Sequence, residues 1–190
     1  MRRTGAALGA LVLLAACSPQ QVEAQAADYP AYSSLAELCD AATLVVSGSP
    51  VGSEVRTVDL RTGDEGGTAE ENPGLGAGGT RPEDEAVVTV TSFQVDAVVA
   101  GRAIGAGERI EVSQMGGELD GVDHPAAQFP LDDGGTYLLF LEEFDDAPAV
   151  LLNPTEAGYV VSPSGAIVSD AGTPLGDEMD GQTVDASLCG

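Results

Sequence analysis

Alternation of apolar and polar positions is the dominant pattern in the middle of the chain. In Ala86 to Ala100 (AVVTVTSFQVDAVVA), Val88 and Val90 alternate with Thr89 and Thr91, and Phe93, Val95, Ala97 and Val99 then take over the apolar parity. A period of two is the signature of a β-strand, and the change of parity at Thr91-Ser92 predicts a β-bulge there. Arg109 to Met115 alternates again, with Ile110, Val112 and Gln114 on one face. Thr136 to Leu141 (TYLLFL) is apolar at both parities, which predicts a central strand covered on both sides. Thr43 to Ser47 has the same character. It is interrupted by Gly48, Pro50 and Gly52 and resumed by Val55 to Leu60, so it reads as one long bent strand. Val150 to Leu152, Gly158 to Val161 and Ala166 to Val168 are short strands parted by Asn153-Pro154 and Ser162-Pro163-Ser164-Gly165 turns.

Only one clear helical pattern precedes the strands. Leu35, Leu38 and Cys39 share a face at i, i+3 and i+4, and Ser34 with Glu37 has the spacing of a capping box. This helix is predicted to stop near Ala42. The acidic tail beyond Asp170 ends in Val184 to Cys189, a possible last turn of helix or a docked end. Residues 62–85 are rich in Gly and acids, with Leu75 the one apolar side chain larger than alanine, and cannot bury enough surface to order themselves. They read as a disordered insertion between two strands, which costs little extra closure entropy. Gly116 to Gly135 reads as a long polar loop. One short helix followed by strands with long connections predicts a mainly β fold, a five- to six-stranded antiparallel OB-like barrel with one N-terminal helix.

The N-terminus is of another kind. Arg2 and Arg3 precede the small, apolar stretch Ala6 to Ala16, which is shorter than the roughly 20 residues a membrane-spanning helix needs. It closes on Leu14-Ala15-Ala16-Cys17, and this run resembles the lipobox of bacterial lipoproteins. The resemblance implies that residues 1–16 are a signal peptide. Cys17 then becomes the first mature residue and carries lipid, which would hold the chain to the cell membrane from its extracytoplasmic side. Two or three acyl chains suffice for such an anchor, each buried CH₂ contributing ~0.8 kcal/mol. Residues 17–31 then form the lipidated cysteine and a flexible polar tether, and 32–190 the folded domain.

Charge narrows the partners. The chain carries 31 Asp and Glu against 7 basic residues, all arginine, for a formal charge of −24. Nucleic acid, which needs a basic footprint, is not an expected partner, and neither is electrostatic docking on anionic lipid. Cys39 and Cys189 are the thiols left after Cys17. In an exported protein they are expected to pair and pin the C-terminus to the first helix, with two free thiols as the alternative. Metal binding by two cysteines and a distant histidine does not fit the clustered ligands of zinc sites.

The order of elements also carries a resemblance. The helix with Cys39 leads into Asp40-Ala41-Ala42-Thr43-Leu44-Val45-Val46-Ser47-Gly48. A long valine strand ends Val98-Val99-Ala100-Gly101, Ile110-Glu111-Val112 follows, and Gly134-Gly135-Thr136-Tyr137-Leu138-Leu139-Phe140-Leu141 closes the set. Over roughly residues 35–168 this resembles the netrin/TIMP-like OB barrels and uncharacterised secreted proteins of GC-rich bacteria. The resemblance implies binding, not catalysis. The inhibitors of that class place a free N-terminal cysteine on a target's zinc, whereas Cys17 here is lipidated and a tether away, so that mechanism is not expected to transfer.

Candidate chemistry is sparse. His124 is the single histidine, beside Asp123, and a hydrolase would have to use it or an acidic pair. No Gly-x-Ser-x-Gly elbow is present, and Gly116-Gly117 and Gly134-Gly135 lack the Lys and helix start of a phosphate loop. Asp120, Asp123, Asp132, Asp133, Glu142, Glu143, Asp145 and Asp146 could bind calcium weakly but match no EF-hand spacing. The chain therefore reads as a non-enzymatic, surface-tethered lipoprotein with no cofactor and no catalytic or metal residues. It would bind an envelope or extracellular component, a protein partner among the candidates, through its uncovered barrel face and the 116–135 loop. A secreted hydrolase and a structural or calcium-binding envelope protein are the alternatives.

Overall fold

A computed structural model describes residues 28–59, 85–169 and 173–190. The signal peptide 1–16, Cys17, most of the tether and the insertion as far as residue 84 lie outside the described residues.

Helix α1 (Leu35–Ala41) begins where the capping pattern places it and ends against Ala42. The Ser34 hydroxyl accepts from the Glu37 N–H at 3.3 Å. The Glu37 carboxylate reaches one residue further back than a reciprocal box would, accepting from the N–H and Oγ of Ser33, both at 2.8 Å. Those two hydrogen bonds hold the Glu37 carboxyl below the ordinary glutamate range.

The strands are β1 (Leu44–Asp59), β2 (Glu85–Ala100), β3 (Arg109–Met115), β4 (Gly117–Leu119) and β5 (Val122–His124). They continue with β6 (Tyr137–Glu142), β7 (Ala149–Leu151), β8 (Gly158–Val161) and β9 (Ile167–Val168). A short helix, α2 (Pro174–Met179), follows. Seven strands form one large sheet in the order β1-β2-β3-β7-β6-β8-β9, and β1 also pairs with β6. The protein is thus mainly β with two helices, as the alternation predicted, but three finer expectations change. The sheet has seven strands rather than five or six. It is mixed, because β3 and β7 run parallel through Val112↔Ala149 and Ser113↔Val150. It bends back on itself at β1 without being a clearly closed barrel.

The bent first strand is real: β1 runs unbroken from Leu44 to Asp59, with register shifts at Val45/Val46, Ser47/Gly48 and Pro50/Gly52. The bulge expected within β2 at Thr91-Ser92 lies instead on the partner strand, where Val51 is the unpaired residue between Pro50↔Phe93 and Gly52↔Ser92. β2 supplies its own extra residues further on, at Asp96 and Val99. Gly48 sits where a Cβ would run into the Gln94 carbonyl, so only glycine lets β1 and β2 approach there.

β6 is central. Tyr137 to Leu141 are all buried, flanked by β1 on one side and by β7 and β8 on the other. Phe140 meets Tyr159 edge-on at 6.1 Å, and Phe93, Leu138, Ile167 and the helix residues Leu38, Leu175 and Met179 complete the core. α2 brings the chain's end back onto it. Thr173 caps it by accepting from Gly176 N–H at 2.9 Å, with Pro174 in the first turn, where its missing N–H costs nothing. Of the two expectations for residues 184–189, a last helical turn or a docked end, the structure shows the second: non-helical turns dock Cys189 on α1. Cys39 and Cys189, 150 positions apart in sequence, are joined by a disulfide with 5.6 Å between Cα atoms.

The chain enters the fold pinned. Asn153 Nδ2 donates to the Pro30 carbonyl at 2.8 Å, and Tyr32 N–H donates to Glu156 Oε2 at 2.8 Å. The 116–135 segment, expected to be an open loop, is also tied down. It contains the β4–β5 hairpin. The buried amide of Gln114 accepts from Phe129 N–H at 2.7 Å and donates to Phe129 carbonyl at 3.0 Å, imitating a strand partner. Gln128 Nε2 donates to the Met115 carbonyl at 2.7 Å.

Candidate functional site

Four distant segments meet in an open cleft of about 420 Å³. β1 contributes Arg56, the β2–β3 turn Arg102, the start of β3 Arg109 to Glu111, and the β6–β7 connection Glu143 to Ala149. The topology explains how the second and fourth of these meet, while Arg56, farther along β1, reaches Glu111 of β3 through its side chain. β2 and β6 both run antiparallel to β1 and end near its start, so the turns that follow them lie side by side. Gly101 turns the chain out of β2 with φ +102°, hard against the Thr43 carbonyl, where no side chain fits. That turn presents Arg102 to the β6–β7 connection. Thr43 secures the other side, its Oγ1 accepting from Glu143 N–H at 2.7 Å.

The cleft holds an unusual share of the basic groups. The three arginines among the described residues, Arg56, Arg102 and Arg109, all line it. Two of them are anchored. Arg102 Nε lies 2.7 Å from Glu143 Oε1, and Arg56 spans Glu54 at 3.1 Å and Glu111 at 3.3 Å. Among the described residues Arg109 pairs with no carboxylate, and Asp145 and Asp146 pair with no cation. Phe144, on the same connection as Asp145 and Asp146, is 47% exposed, one of four large apolar side chains so open to water among the described residues. The cleft therefore presents one unpaired cation, two unpaired carboxylates and an uncovered aromatic ring. Ligand sites combine such convergent polar groups with apolar wall, in volumes of about 300–1,000 Å³.

A second cavity, of about 270 Å³, lies among Val58, Val88, Met115, Leu151 and Pro154, with Tyr29 against it. Its walls are mostly apolar, and the one long polar side chain there, Gln114, is already committed to Phe129.

The residues singled out in the sequence are dispersed. Cys39 and Cys189 are together in the disulfide, and Cys17 lies outside the described residues. His124 is half-buried on β5 opposite Gly117, and its ring makes no hydrogen bond among the described residues. Asp123, its neighbour on a strand, points to the other face and is exposed. Asp120 sits at φ +52° in the β4–β5 turn. Among the described residues no three of His, Cys, Asp and Glu are grouped so as to hold a metal ion. Glu143, Asp145 and Asp146 do come together, but with arginines among them, in the cleft.

Sequence pattern did not mark this cleft, because its residues are contributed by segments that only the sheet register brings into line. The available signal was scarcity: in a chain without lysine, Arg102 and Arg109 bracket one turn.

Comparison of the chain with protein-family models, with curated proteins and with solved structures found no match in any of the three.

Proposed function

We propose that this protein is an extracytoplasmic lipoprotein, tethered to the cell membrane through Cys17, whose folded domain binds an envelope or extracellular component without catalysis, in the cleft between the β2–β3 turn and the β6–β7 connection. The cleft carries this reading. It places the three described arginines, two carboxylates without a cation among the described residues and an exposed phenylalanine around one volume, in a chain of net charge −24. Local groups set the potential there, because a Debye length of about 8 Å at physiological salt screens the remainder.

Export is supported by the Cys39–Cys189 disulfide, since such bonds persist in oxidising compartments. Anchorage is supported by Leu14-Ala15-Ala16-Cys17. We read the core as OB-like. In support, the pairings β1-β2-β3-β7-β6 return to β1, with β3–β7 the parallel pair. We place the contact surface in the cleft rather than on the barrel face and the 116–135 segment, because the cleft gathers both signs of charge and an exposed ring, whereas Gln128 and the Phe129 backbone of that segment are engaged with Met115 and Gln114.

Two experiments test the reading. Cells fed an alkyne palmitate should label the protein, and Cys17→Ala should abolish the label and release the chain from membranes. A photo-cross-linking residue at Phe144 should capture a component of the envelope that the same residue at Val168, another exposed site, does not capture. An unlabelled, membrane-free wild type would refute the anchor, and equal capture from both positions would refute the cleft.

A further inference from the structure

The unpaired charges of the cleft specify a ligand class, and this step rests on the cleft being the binding site. Once Arg56–Glu111 and Arg102–Glu143 neutralise one another, Arg109 remains as a cation and Asp145 and Asp146 as anions. We infer that the cleft takes a short zwitterionic peptide, its carboxylate on Arg109, its ammonium on Asp145 and Asp146, and its apolar part against Phe144.

Charge complementarity selects this class over its neighbours. A phosphate or polyanion drawn to Arg109 also meets two unpaired carboxylates and two ion-paired ones, and like charges brought together oppose binding. A polycation gains Asp145 and Asp146 but sets a positive charge against Arg109. A ligand bearing one charge of each sign meets both without leaving either unpaired. Arginine suits the carboxylate end, because its planar fork binds carboxylate with two parallel hydrogen bonds. The flanking pairs contribute by position: each holds its own arginine and glutamate in place, so neither competes for Asp145 or Asp146. Two or three small residues fit a volume of about 420 Å³. Such a ligand would cover the ring of Phe144, which is 47% exposed.

The test is calorimetric titration of the detergent-solubilised full chain with trialanine, N-acetyl-trialanine, trialanine amide and inorganic phosphate. Trialanine should bind, and blocking either end should weaken binding at least tenfold. Arg109→Gln should match the loss seen with the amide, and Asp145→Asn with Asp146→Asn the loss seen with the acetyl peptide, all at unchanged melting temperature. Arg109→Lys should recover part of the affinity. Equal binding of free and blocked peptides, or no heat with trialanine at millimolar concentration, would overturn the inference. Phosphate binding more tightly than trialanine and lost in Arg109→Gln would also overturn it, while leaving a cleft that binds anions. If the Phe144 cross-linker also captures nothing specific, the functional reading fails with it.

Discussion

Two consecutive stretches of chain, Tyr137 to Leu141 and Glu142 to Pro148, are opposites. The first is buried at every position and bordered by strands on both sides. The second is mostly exposed, carries Glu142, Glu143, Asp145 and Asp146, and leaves Phe144 in water. The contrast shows how this fold divides its labour. β6 holds the domain together, and the connection it feeds is free to carry charge because nothing in the core depends on it. Thr43, joined to Leu141 on one side and Glu143 on the other, is the boundary between them.

Changes on the β6 side should therefore cost stability, whereas changes in the cleft should cost binding alone. The largest effect is expected from the disulfide that closes the core. Cys39→Ser with Cys189→Ser frees a 150-residue loop, which in the chain-entropy model costs about 5 kcal/mol, read as a lower denaturation midpoint in urea. Leu139→Ala, at a fully buried position of β6, should cost about 2–5 kcal/mol by the same measurement. Gln114→Leu should cost about 1–3 kcal/mol, because it strands the Phe129 N–H and carbonyl that the amide now satisfies. Hydrogen exchange should then quicken in 125–131 before it does in β6.

Two pH effects sharpen the contrast further. Burial and the nearby Glu156 and Glu178 push the Tyr159 hydroxyl well above its ordinary range, and its O–H donates to the Glu156 carbonyl at 2.8 Å. The raised value in the folded state means that this contribution is complete below about pH 10, the unfolded value, and is lost as pH climbs toward the folded one. Tyr159→Phe should flatten the alkaline limb of the stability profile. The smallest effect is at α1. Glu37, held low by Ser33, contributes above the ordinary glutamate range and loses that contribution as pH falls through its depressed value, so circular dichroism should show slight fraying of α1 in acid that Glu37→Gln removes. The cleft should remain silent in every one of these stability measurements.

The parts of the fold legible in the sequence are those set by local pattern. The alternation of Ile110, Val112 and Gln114, the doubly apolar run of β6 and the Ser34-Glu37 spacing each specify their element directly. Helix α2 was announced by Thr173-Pro174, a cap followed by a first-turn proline, but its acidic, Gly-rich setting masked the signal. β4 and β5 have three residues each, too few for periodicity to register. A parity change shows that a register shift exists, not which strand carries the extra residue, so the pattern in β2 does not reveal that Val51 of β1 is the bulged one. The parallel β3–β7 pair and the cleft depend on long-range register, which no local window contains.

Hydrogen exchange of the full chain, with and without solubilised cell envelope, tests the division most directly. The account predicts slowed exchange in 102–111 and 142–149 and no change in Tyr137 to Leu141. Protection confined to 116–135, with the cleft unchanged, would contradict it.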